Sequence, residues 1–192
     1  MITGHGSGPS RLADKLAGKT LVIQWEDVPE HRPGLNGSFN YRTGTITMYN
    51  WESNTLFHEM FHGLQAYNHT PDSFEGSTLN METEAWYAQY LYVSGLPEYQ
   101  QGTKWHKRYS YGNPGKQIAN LANAIDNKGY LKPGVTDANF SDRLNYVFRG
   151  FNQHPSYAGR SWDSSKLNPQ DMFGVLRQIT ENCKSNVENS GS

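Results

Sequence analysis

The chain has 192 residues, a mass of 21.7 kDa and a formal net charge of −1 from 17 basic and 18 acidic side chains. This length fits one domain spanning residues 1–192, and the balanced charge argues against nucleic acid as a partner. The single Cys183 excludes an internal disulfide framework, and no apolar run approaches the ~20 residues of a membrane span.

The N-terminal part of the chain predicts a linker, a helix and a strand. Residues 1–8 are Gly-rich and have no hydrophobic signal region, so we expect a flexible linker or a tag remnant there. Residues 9–17 predict a short helix, and residues 19–25 predict a strand with three aliphatic side chains at its centre.

Two further strands are predicted at residues 38–41 and 45–49, which are rich in β-branched and aromatic side chains. Gly44 between them permits the positive φ that a tight hairpin needs. The pattern thus places a hairpin directly before the next helix.

That helix carries the most informative motif of the sequence, His58-Glu59-Met60-Phe61-His62. Ser53 or Asn54 is expected to cap its start, and apolar residues at helical spacing predict a buried stripe. Histidines at i and i+4 share a helix face, so both can bind one tetrahedral metal ion, and Glu59 beside them can accept a proton from water. The spacing therefore predicts a Zn²⁺ site with Glu59 as the catalytic residue.

A third metal ligand is sought in a second predicted helix that begins near Asn80, its expected cap. Glu82 and Glu84 lie about 200° apart on this helix, so they cannot both face the same ion. Glu84 adjoins Ala85 on the apolar face, where a divalent cation would offset the cost of burying its carboxylate. We therefore predict Glu84 as the third ligand, with Glu82 as the alternative.

Other carboxylates and histidines are weaker candidates for this position. Asp72 and Glu75 lie in a segment with Pro and Gly, where nothing fixes their direction. His69 is one residue too far for the metzincin pattern, which needs a histidine at position 68. The aspzincin pattern begins as Gly102-Thr103 does, but Trp105 stands where its ligand aspartate should be.

The C-terminal half predicts three helices, at residues 115–127, 139–152 and 169–183, the last capped by Asn168. Residues 104–109 form a short basic and aromatic patch. Because the patch is short and isolated, we interpret it as a cleft rim or a solvated loop.

The motif followed by Glu84-Ala85 on a later helix resembles the gluzincin branch of zincin metallopeptidases, over roughly residues 38–93. The resemblance implies an α+β fold with a small antiparallel or mixed sheet packed on helices, the motif helix under the cleft and an edge strand lining it. It also implies Glu59 as general base and Glu84 as third zinc ligand beside His58 and His62. Thermolysin-like members carry an aspartate where this chain has Ala88, so a different hydrogen-bond partner is needed for a zinc histidine.

The resulting hypothesis is a zinc metallopeptidase that hydrolyses peptide bonds with a metal-activated water and takes a protein or peptide substrate, without membrane insertion. The alternatives are a zinc amidase acting on cell-wall peptide or another small amide, and a non-catalytic aromatic-rich binding module. The general look of the motif region is similar to small bacterial effector or toxin domains, which implies export and an inhibitor or immunity partner.

The sequence does not choose among several donors for the oxyanion that peptide hydrolysis forms. The candidates are five side chains of the C-terminal half: His106, Tyr109, Tyr111, His154 and Tyr157.

Overall fold

The computed structural model describes residues 12, 15–30, 34–69 and 78–181. Within these ranges the protein is an α+β fold with one three-stranded mixed sheet and seven α-helices, which confirms the predicted fold class. The predicted linker at residues 1–8, most of the helix predicted at 9–17 and Cys183 lie outside the described residues.

The sheet consists of β1 (Val22–Trp25), β2 (Gly37–Asn40) and β3 (Thr45–Met48), in the order β1-β3-β2. β1 is parallel to β3, and β2 is antiparallel to it. Gly44 has φ +66° in the β2–β3 hairpin, as predicted, and its N–H donates to the Asn40 carbonyl. β3, which directly precedes the motif helix, is thus the central strand. The strand that borders the cleft is the edge strand β2.

The strands of the sheet differ in burial. Ile46 and Met48 of β3 are buried, whereas all four residues of β1 are exposed. Near β1, the rings of Trp25 and Trp51 stack with centroids 3.5 Å apart. The sheet therefore joins the helical core through β2 and β3.

Seven helices make up the rest of the described structure: α1 Ser53–Asn68, α2 Thr78–Ser94, α3 Lys104–Ser110, α4 Gly115–Leu121, α5 Asp137–Asn152, α6 Pro169–Met172 and α7 Gly174–Glu181. A 3₁₀ turn, Ser164–Lys166, lies between α5 and α6. No helix in the described ranges is long and apolar enough to cross a membrane.

The core forms where α1 and α2 pack together. Phe57, Phe61 and Leu64 of α1 join Ala85 and Ala88 of α2 in one buried cluster. Helices α4, α5 and α7 cover α2 from other directions. As a result α2 is buried around most of its circumference, including its polar residues.

Two helix starts differ from the prediction. The residue at the N-cap of α1 is Glu52, not Ser53 or Asn54, and it makes no side-chain capping bond. Asn80 lies inside α2, where its side chain accepts from the Asp163 N–H and donates to the Asp163 carbonyl. The bonds of Asn80 to Asp163 take the place of the expected cap, whereas Asn54 is buried and its side-chain amide has no hydrogen-bond partner among the described residues.

The last predicted helix is divided into two. Asn168 caps α6 by accepting from the Asp171 N–H, with Pro169 at the start, as predicted. Phe173 leaves the helical conformation and the chain begins α7 at Gly174. This break lets the N–H groups at the start of α7 reach a side chain of α2.

Candidate metal centre and cleft

The motif helix α1 places both of its histidines at the same buried position. His58 and His62 are each 7% exposed, and their Nε2 atoms lie 3.0 Å apart. Their rings meet edge to face, with centroids 4.6 Å apart. This is the arrangement predicted from the i, i+4 spacing, with the two nitrogens directed at one point.

Glu82 of α2 completes this group. Its Oε2 lies 3.3 Å from Nε2 of His58 and 3.5 Å from Nε2 of His62. Ligand atoms about 2.0–2.2 Å from a tetrahedral zinc stand about 3.3–3.6 Å from one another. The two distances to Glu82 fall within this range and the 3.0 Å between the histidine nitrogens is slightly shorter, so this buried group could hold a metal ion.

Glu84, the predicted third ligand, belongs to a different environment, and we correct that prediction. Its Oε1 accepts from the Leu176 N–H of α7 at 2.8 Å, and its Oε2 accepts from Gln65 Nε2 at 2.9 Å. Glu82 and Glu84 do lie on opposite faces of α2, as expected from helical geometry. The prediction took burial as the sign of the metal ligand, but α2 is buried on both of these faces. Burial therefore does not identify the face that lies next to the histidines.

Gln65 links the two environments, and the sequence analysis did not identify it. Its Oε1 lies 2.7 Å from Nδ1 of His62, and its Nε2 donates to the Met81 carbonyl and to Glu84. The amide therefore holds Nδ1 of His62 as the N–H, so Nε2 is the nitrogen that would bind a metal. The sequence signal that could have identified Gln65 is its i, i+3 spacing from His62, which places both side chains on the same helix face.

The charges at the centre favour a cation between the three side chains. Burial alone would lower the pKa of His62, but the Glu82 carboxylate raises it to about 9. Burial alone would raise the pKa of Glu82, but the two imidazoles hold it well below its usual range. Burial lowers the pKa of His58, whose Nδ1 has no hydrogen-bond partner among the described residues. The site thus keeps a carboxylate charged and favours positive charge beside it.

Glu59, the predicted general base, lies next to this group in the wall of the cleft. Its side chain is 6% exposed, and burial raises its pKa to about 7. β2 approaches closely at Gly37, where a Cβ would lie 3.1 Å from Oε1 of Glu59 and 2.8 Å from the Thr55 methyl. Glycine at position 37 therefore allows the edge strand to border the carboxylate.

The cleft has two compartments that meet at the motif. The first, which we call the Glu82 compartment, is lined by His62, Glu82 and Arg160 and by Ser38 and Phe39 of β2. The second, which we call the Arg108 compartment, is lined by Trp86, Gln89, Arg108, Asn113 and His154. Six residues border both: Leu35, Gly37, His58, Glu59, Ser156 and Tyr157. A ligand that crosses the cleft would pass the metal group at its middle.

Two of the five predicted oxyanion donors reach the cleft. Tyr157 lines both compartments and His154 lines one, whereas His106, Tyr109 and Tyr111 line neither. The Tyr109 hydroxyl donates to Gln89 in the core, and Tyr111 is 74% exposed. The structure thus reduces the candidates to His154 and Tyr157.

Tyr157 is the better placed of the two donors. Its hydroxyl oxygen accepts from Trp86 Nε1 at 3.0 Å, and burial raises its pKa well above the usual value. No acceptor for the hydroxyl hydrogen is found within the described ranges. A neutral, immobilised O–H therefore borders both compartments of the cleft.

The basic patch predicted as a rim or loop forms helix α3. Lys104 pairs with Glu52 of α1, and Arg108 projects into the cleft. The weaker metal candidates Asp72 and Glu75 lie outside the described residues, and His69 lines neither compartment.

Comparison of the chain with protein families, with curated proteins and with solved structures found no match in any of the three.

Proposed function

We propose that this protein is a zinc-dependent metallopeptidase of the gluzincin type that hydrolyses peptide bonds in the cleft between β2 and α1. The observation that carries the proposal is the triangle of His58 Nε2, His62 Nε2 and Glu82 Oε2, with edges of 3.0–3.5 Å, beside the cleft carboxylate Glu59. Two histidines and one carboxylate form a ligand set of catalytic zinc, which leaves one coordination position open.

A zinc ion held by these three side chains would supply a Lewis acid that activates water and polarises a carbonyl group. Glu59 is suited to accept the proton of the attacking water and to deliver it to the leaving amine. Its pKa of about 7 matches the operating range of a general base near neutral pH.

The Tyr157 hydroxyl, which lines the cleft together with Glu59, supports the same reaction. It is held by Trp86 and is neutral at ordinary pH, so it can donate to the carbonyl oxygen as negative charge develops there. A donor that is already oriented needs little reorganisation during the reaction.

β2 offers a way to hold an extended peptide. It is the edge strand of the described sheet, and Gly37, Ser38 and Phe39 line the cleft. A substrate that pairs with the free edge of β2 would be held mainly by backbone hydrogen bonds, so its carbonyl groups would pass close to Glu59.

The metal is tested first, by elemental mass spectrometry of the purified full-length chain and of His58→Ala and Glu82→Gln. We expect one zinc per chain in the wild type and none in either variant. Folded wild-type protein without zinc after exposure to the metal would contradict the proposal and would favour a binding module.

The chemistry is tested with Glu59→Gln, which preserves the size of the side chain and removes its basicity. We expect the variant to keep one zinc and to lose about 10²–10⁴-fold in peptide hydrolysis, the usual contribution of a general base. The measurement is cleavage of a diverse peptide mixture, followed by mass spectrometry. Undiminished hydrolysis would contradict the assigned base, and zinc without any peptide cleavage would favour the amidase.

A further inference from the structure

The two ends of the cleft carry one arginine each, and the arginines differ in their partners. In the Glu82 compartment, NH1 of Arg160 lies 3.4 Å from Oε1 of Glu82. In the Arg108 compartment, the nearest carboxylate oxygen is Oε2 of Glu52, 3.9 Å from NH2 of Arg108, which is beyond hydrogen-bond distance. Arg160 is therefore hydrogen-bonded to Glu82, whereas Arg108 has only a longer ion pair with Glu52.

Arg108 is also confined to the cleft. Its side chain is 21% exposed, and its guanidinium makes no hydrogen bond with the described residues. A guanidinium carries five N–H donors in a fixed plane. The nitrogens of Arg108 are not fully buried, so its N–H groups reach the solvent of the cleft and can donate to an acceptor supplied by a ligand.

The charge balance at this end points in the same direction. Glu52 faces two cations, Lys104 and Arg108, so these three groups together keep one positive charge. The other carboxylate that borders this compartment is Glu59, whose pKa burial raises to about 7. Burial lowers the pKa of His154, and the positive charge of Arg108 lowers it further, so this imidazole is neutral. Nδ1 of His154 accepts from the Ser156 N–H at 3.3 Å, so the neutral ring carries its hydrogen on Nε2. The compartment thus combines a cation with a neutral donor.

We propose that the Arg108 compartment binds a carboxylate of the substrate, so that the protein prefers peptides carrying an acidic group next to the scissile bond. This inference rests on the proposed peptidase function. The planar fork of arginine matches the two oxygens of a carboxylate, and Arg108 shares its compartment with His58 and Glu59. The carboxylate is either an acidic side chain or the free C-terminus of the peptide, and both have the same chemistry.

Two peptide pairs distinguish these sources. The first pair is acetyl-Ala-Ala-Phe-Glu-Ala amide and its Gln counterpart, which test a side-chain carboxylate. The second pair is acetyl-Ala-Ala-Phe-Ala with a free or an amidated C-terminus. Binding to zinc-loaded Glu59→Gln is measured by calorimetry, and hydrolysis by the wild type is measured separately as kcat/KM.

We expect the acidic member of at least one pair to bind about 10–100-fold more tightly, the range for hydrogen bonds to a charged group. Arg108→Gln, introduced into the Glu59→Gln variant, should abolish this preference. Arg108→Lys in the same variant should keep part of it. Lys107→Gln is the matched control, because Lys107 is an exposed neighbour on the same helix that does not line the cleft. Arg108→Glu should reverse the preference toward a peptide with Lys in place of Glu. Zinc content and circular dichroism verify that each variant is folded.

The outcomes separate this inference from the proposed function. Equal binding within both pairs, or a preference that survives Arg108→Gln, would overturn the carboxylate site even if peptides are cleaved. A preference for the acidic member that depends on Arg108, without hydrolysis by the wild type, would support the carboxylate site and contradict the peptidase.

Discussion

Helix α2 buries a glutamate on each of two opposite faces, and the neighbours of the two carboxylates are of opposite chemical kinds. Glu82 faces the Nε2 atoms of His58 and His62, which are nitrogens that could bind a metal. Glu84 faces only N–H donors, from Leu176 and from the Gln65 amide. The Glu82 carboxylate therefore lies beside two imidazoles and the Arg160 guanidinium, whereas the Glu84 carboxylate is bonded to amide groups.

The difference shows that the kind of partner, rather than burial, indicates which carboxylate could bind a metal. Glu82 and Glu84 are 8% and 3% exposed, so burial alone does not separate them. Burial raises the pKa of Glu84 to about 7, whereas the histidines hold the pKa of Glu82 well below its usual range. The charged form is stabilised where a metal would bind.

The faces are connected through Gln65, which contacts His62 on one side and Glu84 on the other. Glu84 in turn anchors the start of α7 through the Leu176 N–H. We therefore interpret the Glu84 face as the support of the metal ligand and the Glu82 face as the site itself. Three substitutions test this distinction through one quantity, the zinc affinity.

The largest effect is expected for Glu82→Gln. The amide keeps the shape of the side chain but loses the negative charge, so two histidines remain as ligands and stoichiometric zinc should be lost. Glu84→Gln is the matched control, because it makes the same change two residues away and should keep zinc. Competition with a fluorescent chelator measures both affinities. Loss of zinc from Glu84→Gln, with zinc retained in Glu82→Gln, would identify Glu84 as the ligand.

Sequence reasoning succeeded where one helix or one turn contains all the information. The spacing of His58 and His62 fixed their common face, and Gly44 marked the hairpin by its backbone requirement. Asn168 marked a helix start in the same way. Each of these features depends on residues within about one helical turn of each other.

Sequence reasoning failed where a second element decides the outcome. The choice between Glu82 and Glu84 depends on which side of α2 meets α1, and a helix buried all around gives no amphipathic signal for this. Arg108 belongs to the cleft only because the fold brings α3 to Glu52, the residue before α1. The internal positions of Asn54 and Asn80 likewise follow from tertiary burial, which overrides local capping preference.

An intermediate effect is expected for Gln65→Leu. The leucine cannot accept from Nδ1 of His62, so the ring loses its orientation, and the zinc affinity should fall about 10–100-fold, as is usual for the outer partner of a metal ligand. Gln117→Leu is the matched control, since Gln117 is also a buried amide, bonded to Asn113 and not lining the cleft. Equal losses in the two variants would indicate a general effect of the substitution on stability.

The smallest effect on zinc is expected for Glu84→Ala, which acts on His62 only through Gln65. The zinc affinity should fall less than it does in Gln65→Leu. The Gln65 amide still donates to the Met81 carbonyl, and this bond keeps part of its orientation. The free energy of unfolding should fall by about 1–3 kcal/mol, since the Leu176 N–H is left buried without its acceptor. Urea unfolding with excess chelator measures stability apart from metal binding. A variant with unchanged stability and weakened zinc binding would contradict the supporting role and would show that Glu84 acts on the metal directly.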